Sequence, residues 1–220
     1  MNTICVIPAR SGSKGIRDKN ILNLRGHPLL AWSIEVAKKS NLIERTIVST
    51  DSEEYKEIAL SYGAEVPFLR PNELSQDNST DLEFMKHLLM HLEENENLPK
   101  IIVHLRPTTP VRDYKIVDKA ILNFDANKFT SLRSVHKIST PVEKIFKLHE
   151  NQTLSSLNDD FEIDKFNDPR QSFENAYEAN GYNCQAFLTD RTYDIDEKED
   201  YEDLEYILTR KEITLERLLS

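Results

Sequence analysis

Apolar and polar positions follow two different periods along the first two thirds of the chain. Short apolar runs rich in β-branched residues predict strands, and longer segments with apolar residues three or four positions apart predict helices. The predicted strands are Thr3–Pro8, Thr46–Thr50, Ala64–Leu69, Ile101–Leu105 and Ser131–Val135. The predicted helices are Pro28–Ser40, Asp51–Tyr62, Thr80–Glu94 and Lys115–Phe124. This alternation predicts right-handed crossovers and a mostly parallel sheet with helices on both faces.

Local capping signals support two of these helices. Asp51 can cap the second helix, with Glu54 in the capping-box position and Gly63 at the C-terminal end. Thr80 and Glu83 form the same pattern at the start of the third helix.

The strand and helix pattern ends at about residue 136. The segment Ser139–Ser172 is polar and rich in asparagine, which suits an insertion, an oligomerisation arm or a lid. Helical spacing returns after Asp196. Since the sequence contains neither an internal repeat nor a clear linker, we expect a single domain over residues 1–220.

The composition argues against two classes of partner. The chain has 38 acidic and 28 basic residues, for a net charge of −10. Nucleic acids and anionic membranes are bound through basic surfaces, so we expect neither as a partner. No apolar stretch approaches the length of a membrane span, and the N-terminal residues lack the pattern of a signal peptide, so we expect a cytoplasmic protein.

The segment Pro8–Asn20 carries the clearest chemical signal. It follows the first predicted strand, and its glycines and serines allow a tight turn that points backbone amides inward, as anion sites require. Four cations lie within ten residues, namely Arg10, Lys14, Arg17 and Lys19. Neither the P-loop pattern nor G-x-G-x-x-G is present. The alternatives are a phosphate-binding loop and a solvated basic loop.

A pair of aspartates near the end of the sequence suggests a metal site. Asp194 and Asp196 are two residues apart, so in an extended segment both carboxylates lie on one face, and Ile195 lies on the other. Two such carboxylates suit Mg²⁺, which also takes water and phosphate oxygens. Alternatively, Asp196 and Glu199 open the last helix as a capping box, in an acidic and solvated segment.

Several of these segments together resemble one known family. The run from Pro8 to Asn20 resembles the N-terminal signature of the acylneuraminate cytidylyltransferases, which are also called CMP-sialic acid synthetases. Further segments resemble the family's other motifs in order and spacing, namely Ser49–Asp51, Arg70–Asp77, Arg106–Arg112, Arg170–Gly181 and Asp194–Asp200. The resemblance covers nearly the whole chain.

The resemblance implies a fold, a reaction and a set of site residues. The fold would be α/β, a three-layer nucleotide-diphospho-sugar transferase-like fold, with a small dimerisation and acceptor-sugar insertion at about residues 139–190. The reaction would join CMP from CTP to an acidic sugar of the sialic-acid type, in a homodimer that uses Mg²⁺ held by Asp194 and Asp196. Arg10 and Lys14 would be catalytic. The nucleotide would be bound by Ala9, Arg10, Ser11, Gly12, Ser13, Lys14, Lys19, Asn20, Arg70, Asp77 and Thr80. The sugar would be bound by Arg106, Thr108, Lys144, Arg170, Gln171, Tyr177 and Asn180.

One residue departs from the family pattern. Many relatives carry glutamine where this chain has Arg106, and that glutamine lies at the family's sugar site. The open alternatives are the same fold acting on GTP with a sugar phosphate, CTP with Kdo, or a non-catalytic protein that binds sugar nucleotides.

Overall fold

The computed structural model describes residues 2–95, 98–137 and 184–220, together with the backbone of 146–148 and 154–156. The chain divides into a larger compact unit, Met1–Leu122 with Thr192–Ser220, and a smaller one, Asn123–Arg191. The prediction of a single domain with an insertion stays a prediction. No helix in the described ranges has the length and apolarity that a membrane span requires.

A parallel sheet of three strands forms the centre of the larger unit. Strand β1 (Thr3–Pro8) is followed by a hairpin of β2 (Asn23–Leu24) and β3 (His27–Pro28), and β4 (Arg45–Ser49) and β5 (Ile101–His104) pair with β1 on either side.

The α-helices of the larger unit are α1 (Leu29–Lys39), α2 (Glu53–Ser61), α3 (Asp81–Asn95), α4 (Tyr114–Asn123), α5 (Lys198–Arg210) and α6 (Leu215–Leu219). Helices α1 to α4 cover the two faces of the sheet. Cys5 and Ile7 of β1 share one core cluster with α1, α2 and α4, whereas Ile4 and Val6 share another with α3. Since alternate residues of a strand point to opposite faces, these two clusters define three layers.

A third apolar cluster packs Ile195 and helix α5 against helix α1. Trp32 of α1 packs with Ile195, Leu204 and Leu208, all of which are buried. The aspartates on either side of Ile195 are therefore fixed in place by a packed side chain.

Most predicted elements are confirmed, but the third predicted strand is wrong. In Ala64–Leu69, only Glu65 pairs with the sheet, as a single parallel bridge to Ile47. Pro67 has no N–H to donate, so the ladder cannot continue past it. The β2–β3 hairpin was not predicted because its strands have two residues each. Its turn uses positive φ at Arg25 and Gly26, as two-residue hairpin loops do.

Two predicted helix caps also differ from the structure. Helix α2 begins after Ser52, whose Oγ accepts from Tyr55 N at 3.3 Å, so Ser52 is the cap and Asp51 is not. Helix α5 begins after Glu197, whose backbone N–H donates to Asp200 Oδ2 at 2.9 Å. The capping pair is therefore shifted by one residue from the predicted Asp196 and Glu199.

The smaller unit contains two pairs of strands in its described part. Strand β6 (Ser131–Val135), which was predicted, pairs in parallel with β9 (Cys184–Leu188). Strands β7 (Phe146–Leu148) and β8 (Leu154–Ser156) are antiparallel. The predicted sugar contacts in this unit lie outside the described residues, namely Lys144, Arg170, Gln171, Tyr177 and Asn180.

Candidate functional site

A cleft of about 280 Å³ lies beyond the carboxyl ends of β1 and β5. Open parallel sheets bind ligands at this edge. The predicted site residues that line it are Arg10, Ser13, Lys14, Lys19, Asn20, Arg70, Thr80, Arg106, Thr108, Asp194 and Asp196. The structure thus brings residues from four separate predicted motifs to one place, together with Thr80. It also adds lining residues that sequence reasoning missed, namely Pro8, Ser79, Asp81, Phe84 and Pro107.

A hydrogen bond joins the two ends of the loop after β1, residues 10–20. Asn20 Nδ2 donates to the carbonyl oxygen of Arg10 at 2.9 Å. Ala9 is fully buried, and its N–H donates to the carbonyl of Ser49 at 2.9 Å. These hydrogen bonds of Asn20 and Ala9 therefore fix the shape of the loop.

Asp51 anchors this loop from the end of the neighbouring strand. Its Oδ1 accepts from Ser11 N and its Oδ2 from Ser11 Oγ, both at 2.7 Å. Ala9, Ser11, Gly12 and Asp77 are not part of the cleft lining. Their predicted contacts with nucleotide stay predictions.

Asp77 contacts two of the loop cations. Its Oδ1 lies 3.0 Å from Arg10 Nη1, and its Oδ2 lies 2.8 Å from Lys14 Nζ. The hydrogen bonds from Lys14 and then Arg10 lower the pKa of Asp77 below its usual value. This carboxylate is therefore ionised at neutral pH beside both cations.

Lys19 joins the loop to the aspartate segment. Its Nζ donates to the carbonyl of Ile195 at 2.9 Å and lies 3.1 Å from Asp196 Oδ1, and its side chain is only 12% exposed. Gly15 also approaches this segment, because a Cβ added there would lie 2.5 Å from the carbonyl oxygen of Asp196. The basic loop and the predicted metal pair thus face one cleft.

The aspartate pair has the chemistry that Mg²⁺ requires. Asp194 and Asp196 both line the cleft, on either side of the buried Ile195, whose N–H donates to the carbonyl of Thr108 at 2.8 Å. Within the described ranges, no group of three His, Cys, Asp or Glu side chains could hold a metal. Mg²⁺ is usually bound through one or two carboxylates together with water and substrate phosphates, so two suffice.

Arg70 presents a fixed guanidinium group to the cleft. Its Nε donates to Ser49 Oγ at 3.1 Å and its Nη2 to Ser49 O at 2.7 Å, and its guanidinium carbon lies 4.5 Å from the ring centroid of Phe84. Burial lowers the pKa of Arg70 to about 10, so the group stays protonated at neutral pH. These contacts hold the N–H groups of Arg70 in one orientation, in which they can donate hydrogen bonds to a ligand.

Arg106 forms an ion pair with Asp81, the first residue of α3. Its carbonyl oxygen accepts from Arg112 Nη2 at 2.8 Å and from Ser33 Oγ at 3.2 Å, which fixes the backbone from which the side chain extends. Sequence reasoning missed Asp81 as a site residue because its position in a capping motif already explained it.

These features define a three-layer α/β fold whose cleft can bind a polyphosphate at a basic loop, beside a pair of carboxylates that suit Mg²⁺. A solved structure with a similar fold is a CMP-2-keto-3-deoxy-manno-octonic acid synthetase complexed with CTP. The two share 14% identity at a TM-score of 0.69, over 96% of this chain and 100% of that chain. At this identity the likeness shows the fold alone, and it confirms the predicted fold class.

The family is shown by sequence. The family model described as cytidylyltransferase matches residues 4–217, and the chain belongs to this family. An N-acylneuraminate cytidylyltransferase of Escherichia coli O18:K1:H7 is 41% identical over 165 residues, which are 74% of this chain and 38% of that protein. A pseudaminic acid cytidylyltransferase of Campylobacter jejuni subsp. jejuni serotype O:23/36 is 34% identical over 154 residues, 70% of this chain and 66% of that one. The chain thus spans less than two thirds of the length of both relatives. The resemblance inferred from the motifs is confirmed.

The close approach of Gly15 to Asp196 generates a prediction. Gly15→Ala should weaken binding of inorganic tripolyphosphate by about tenfold or more, because the loop cations must move away from the aspartate segment to admit the methyl group. Isothermal titration calorimetry measures this affinity directly. Unchanged affinity would show that the contact is unimportant for the geometry of the cleft.

Proposed function

We propose that this protein transfers CMP from CTP to an acidic sugar of the nonulosonic, sialic-acid type and releases pyrophosphate. The proposal depends on one observation above all, which is that the loop cations and the aspartate pair line the same cleft and are joined by Lys19. Membership of the cytidylyltransferase family and the names of the two relatives support the choice of nucleotide and sugar class.

The proposed reaction is an in-line displacement at the α-phosphorus of CTP. The anomeric hydroxyl oxygen of the sugar forms a bond to this phosphorus and its proton passes to water. The bond between this phosphorus and the oxygen that bridges to the β-phosphate breaks, and pyrophosphate leaves. Negative charge then grows on the departing pyrophosphate. Arg10 and Lys14 line the cleft and can stabilise this charge without reorganisation, so we assign them the catalytic role.

Asp194 and Asp196 are the residues that would hold Mg²⁺. The ion, when bound, would neutralise phosphate oxygens and orient the triphosphate. The ammonium group of Lys19 keeps Asp196 at the cleft. The packing of Ile195 does the same for both aspartates.

The remaining site residues would bind the two substrates. We assign Arg70 and Thr80 to the nucleoside, because Arg70 offers fixed donors and cytosine offers acceptors at O2 and N3. We assign Arg106 and Thr108, which line the cleft, to the sugar together with Lys144, Arg170, Gln171, Tyr177 and Asn180. We also propose a homodimer, which the family resemblance implies, and a cytoplasmic location.

A matrix of nucleotides and sugars tests the proposed function. Pyrophosphate release should be fastest with CTP and a nonulosonic acid in the presence of Mg²⁺. If pyrophosphate were released only with GTP and a sugar phosphate, or only with CTP and Kdo, that pair would replace the proposed substrates. Tight CTP binding without release for any nonulosonic acid would indicate a non-catalytic protein.

Lys14→Ala should lower turnover by roughly 10²-fold, which is typical of removing one preorganised donor to a developing charge. The measurement is the steady-state rate of pyrophosphate release. Arg17→Ala is the matched control, because Arg17 belongs to the same loop but is 95% exposed and is absent from the cleft lining. Equal rates for Lys14→Ala and the control would contradict the assignment of Lys14.

Asp196→Asn should raise the Mg²⁺ concentration needed for half-maximal rate by about tenfold or more, since even the loss of an outer-shell partner costs this much at metal sites. The substitution keeps the side-chain size, so the fold should persist. A magnesium titration of the rate measures the effect. Asp203→Asn, an exposed change on α5, serves as the control. An unchanged titration would exclude Asp196 as a ligand.

A further inference from the structure

We infer that Asp77 is a positioning residue that holds Arg10 and Lys14 side by side, facing the phosphates of the bound nucleotide. This inference deepens the proposed function and rests on it for the identity of the ligand. It assigns to Asp77 a role different from the direct contact with nucleotide that the family resemblance implies.

The contacts of Asp77 place two like charges next to each other. Each carboxylate oxygen meets one cation, with Oδ1 at 3.0 Å from Arg10 and Oδ2 at 2.8 Å from Lys14. Two cations bound to one carboxylate would repel each other in its absence. The negative charge of Asp77 therefore keeps both groups within the span of a single polyphosphate.

Lys14 depends on this contact more than Arg10 does. The side chain of Lys14 is 76% exposed and pairs with Asp77. Arg10 is 31% exposed and has a second anchor, because its Nη1 also lies 3.3 Å from the carbonyl oxygen of Ser75. A flexible lysine that is held in advance loses less conformational freedom when a ligand arrives.

The turn that carries Asp77 is itself fixed. Ser79 N–H donates to the carbonyl of Gln76 at 3.0 Å, and Gln76 N–H donates to Ser79 Oγ at 3.0 Å. Gln76 Nε2 further donates to the carbonyl of Asn72 at 2.7 Å. Ser79 also lines the cleft. The same turn therefore fixes Asp77, and through it Arg10 and Lys14, relative to the wall of the cleft.

Asp77 acts through the cations because it cannot bind phosphate itself. An ionised carboxylate repels a polyphosphate, and Asp77 is absent from the cleft lining. The hydrogen bonds from Lys14 and Arg10 keep its pKa low, so the charge that orders them is present throughout the neutral range.

Calorimetric titration with inorganic tripolyphosphate tests the inference. Asp77→Asn, which removes the charge at nearly constant size, should weaken this binding by about tenfold, comparable to the loss of an outer-shell partner at a metal site. Glu73→Gln is the matched control, because it removes a carboxylate from the same segment at an exposed position away from the cleft. Asp77→Glu, which keeps the charge, should retain more affinity than Asp77→Asn. Circular dichroism and thermal melting verify the fold of each variant.

A double-mutant cycle separates positioning from a general structural role. Asp77→Asn should cost less affinity in the Lys14→Ala background than in the wild type, because part of its effect passes through Lys14. An equal cost in both backgrounds would contradict the inference. Affinity equal to or tighter than wild type in Asp77→Asn would overturn it too, since Asp77 would then compete with the phosphates.

The two proposals fail in different ways. Tripolyphosphate contains neither base nor sugar, so its binding tests only the loop cations and Asp77, which positions two of them. Absence of pyrophosphate release by the wild type in every nucleotide and sugar combination would contradict the proposed function. Unchanged tripolyphosphate affinity in Asp77→Asn would contradict the inference even in an active enzyme.

Discussion

The contact between Lys19 and the segment at residues 195–196 is the constraint on which the rest of the site depends. It joins two parts of the chain 176 residues apart through a lysine whose side chain is 12% exposed. Withdrawing a charge from water is favourable only when the charge is paired and hydrogen-bonded, and Asp196 supplies the paired carboxylate while the carbonyl of Ile195 accepts a hydrogen bond. On the other side of the same segment, the Ile195 side chain packs into an apolar cluster. Polar and apolar interactions thus fix one short segment from two directions.

The same principle of local charge balance applies across the cleft. Arg10 and Lys14 meet Asp77, and Arg106 meets Asp81. A protein with a net charge of −10 can therefore hold a dense group of cations, because neighbouring carboxylates order Arg10, Lys14 and Arg106. Net charge argues against a nucleic-acid partner, but it carries no information about a small anionic ligand whose site is built from a few residues.

Sequence reasoning predicted the elements that depend on local pattern and missed what depends on distant contacts. Strand β1 is buried on both faces, and its continuous apolar run made it readable. The carboxyl ends of parallel strands meet at one edge, so the residues after β1 and β5 could be placed together from the sequence alone. In contrast, the pairing of Arg106 with Asp81 and of Asp77 with the loop depends on side-chain reach across the cleft, which no spacing along the chain encodes. The strand predicted at Ala64–Leu69 failed for a local reason, which is the missing N–H of Pro67.

The two misplaced helix caps have a common physical cause. At α2, Asp51 was a reasonable cap by sequence, but its carboxylate binds Ser11 and leaves the cap to Ser52. At α5, the carboxylate of Asp196 pairs with Lys19, and the capping interaction moves one residue along the chain to Glu197. A capping hydrogen bond contributes only about 1 kcal/mol, so a neighbouring residue can supply it at little cost. A carboxylate that orders a basic loop cannot be replaced in this way. At both helices, the aspartate that the sequence predicted as the cap instead binds a residue of the basic loop, and the next residue caps the helix. An aspartate that fails to cap its helix therefore identifies a segment that orders this loop.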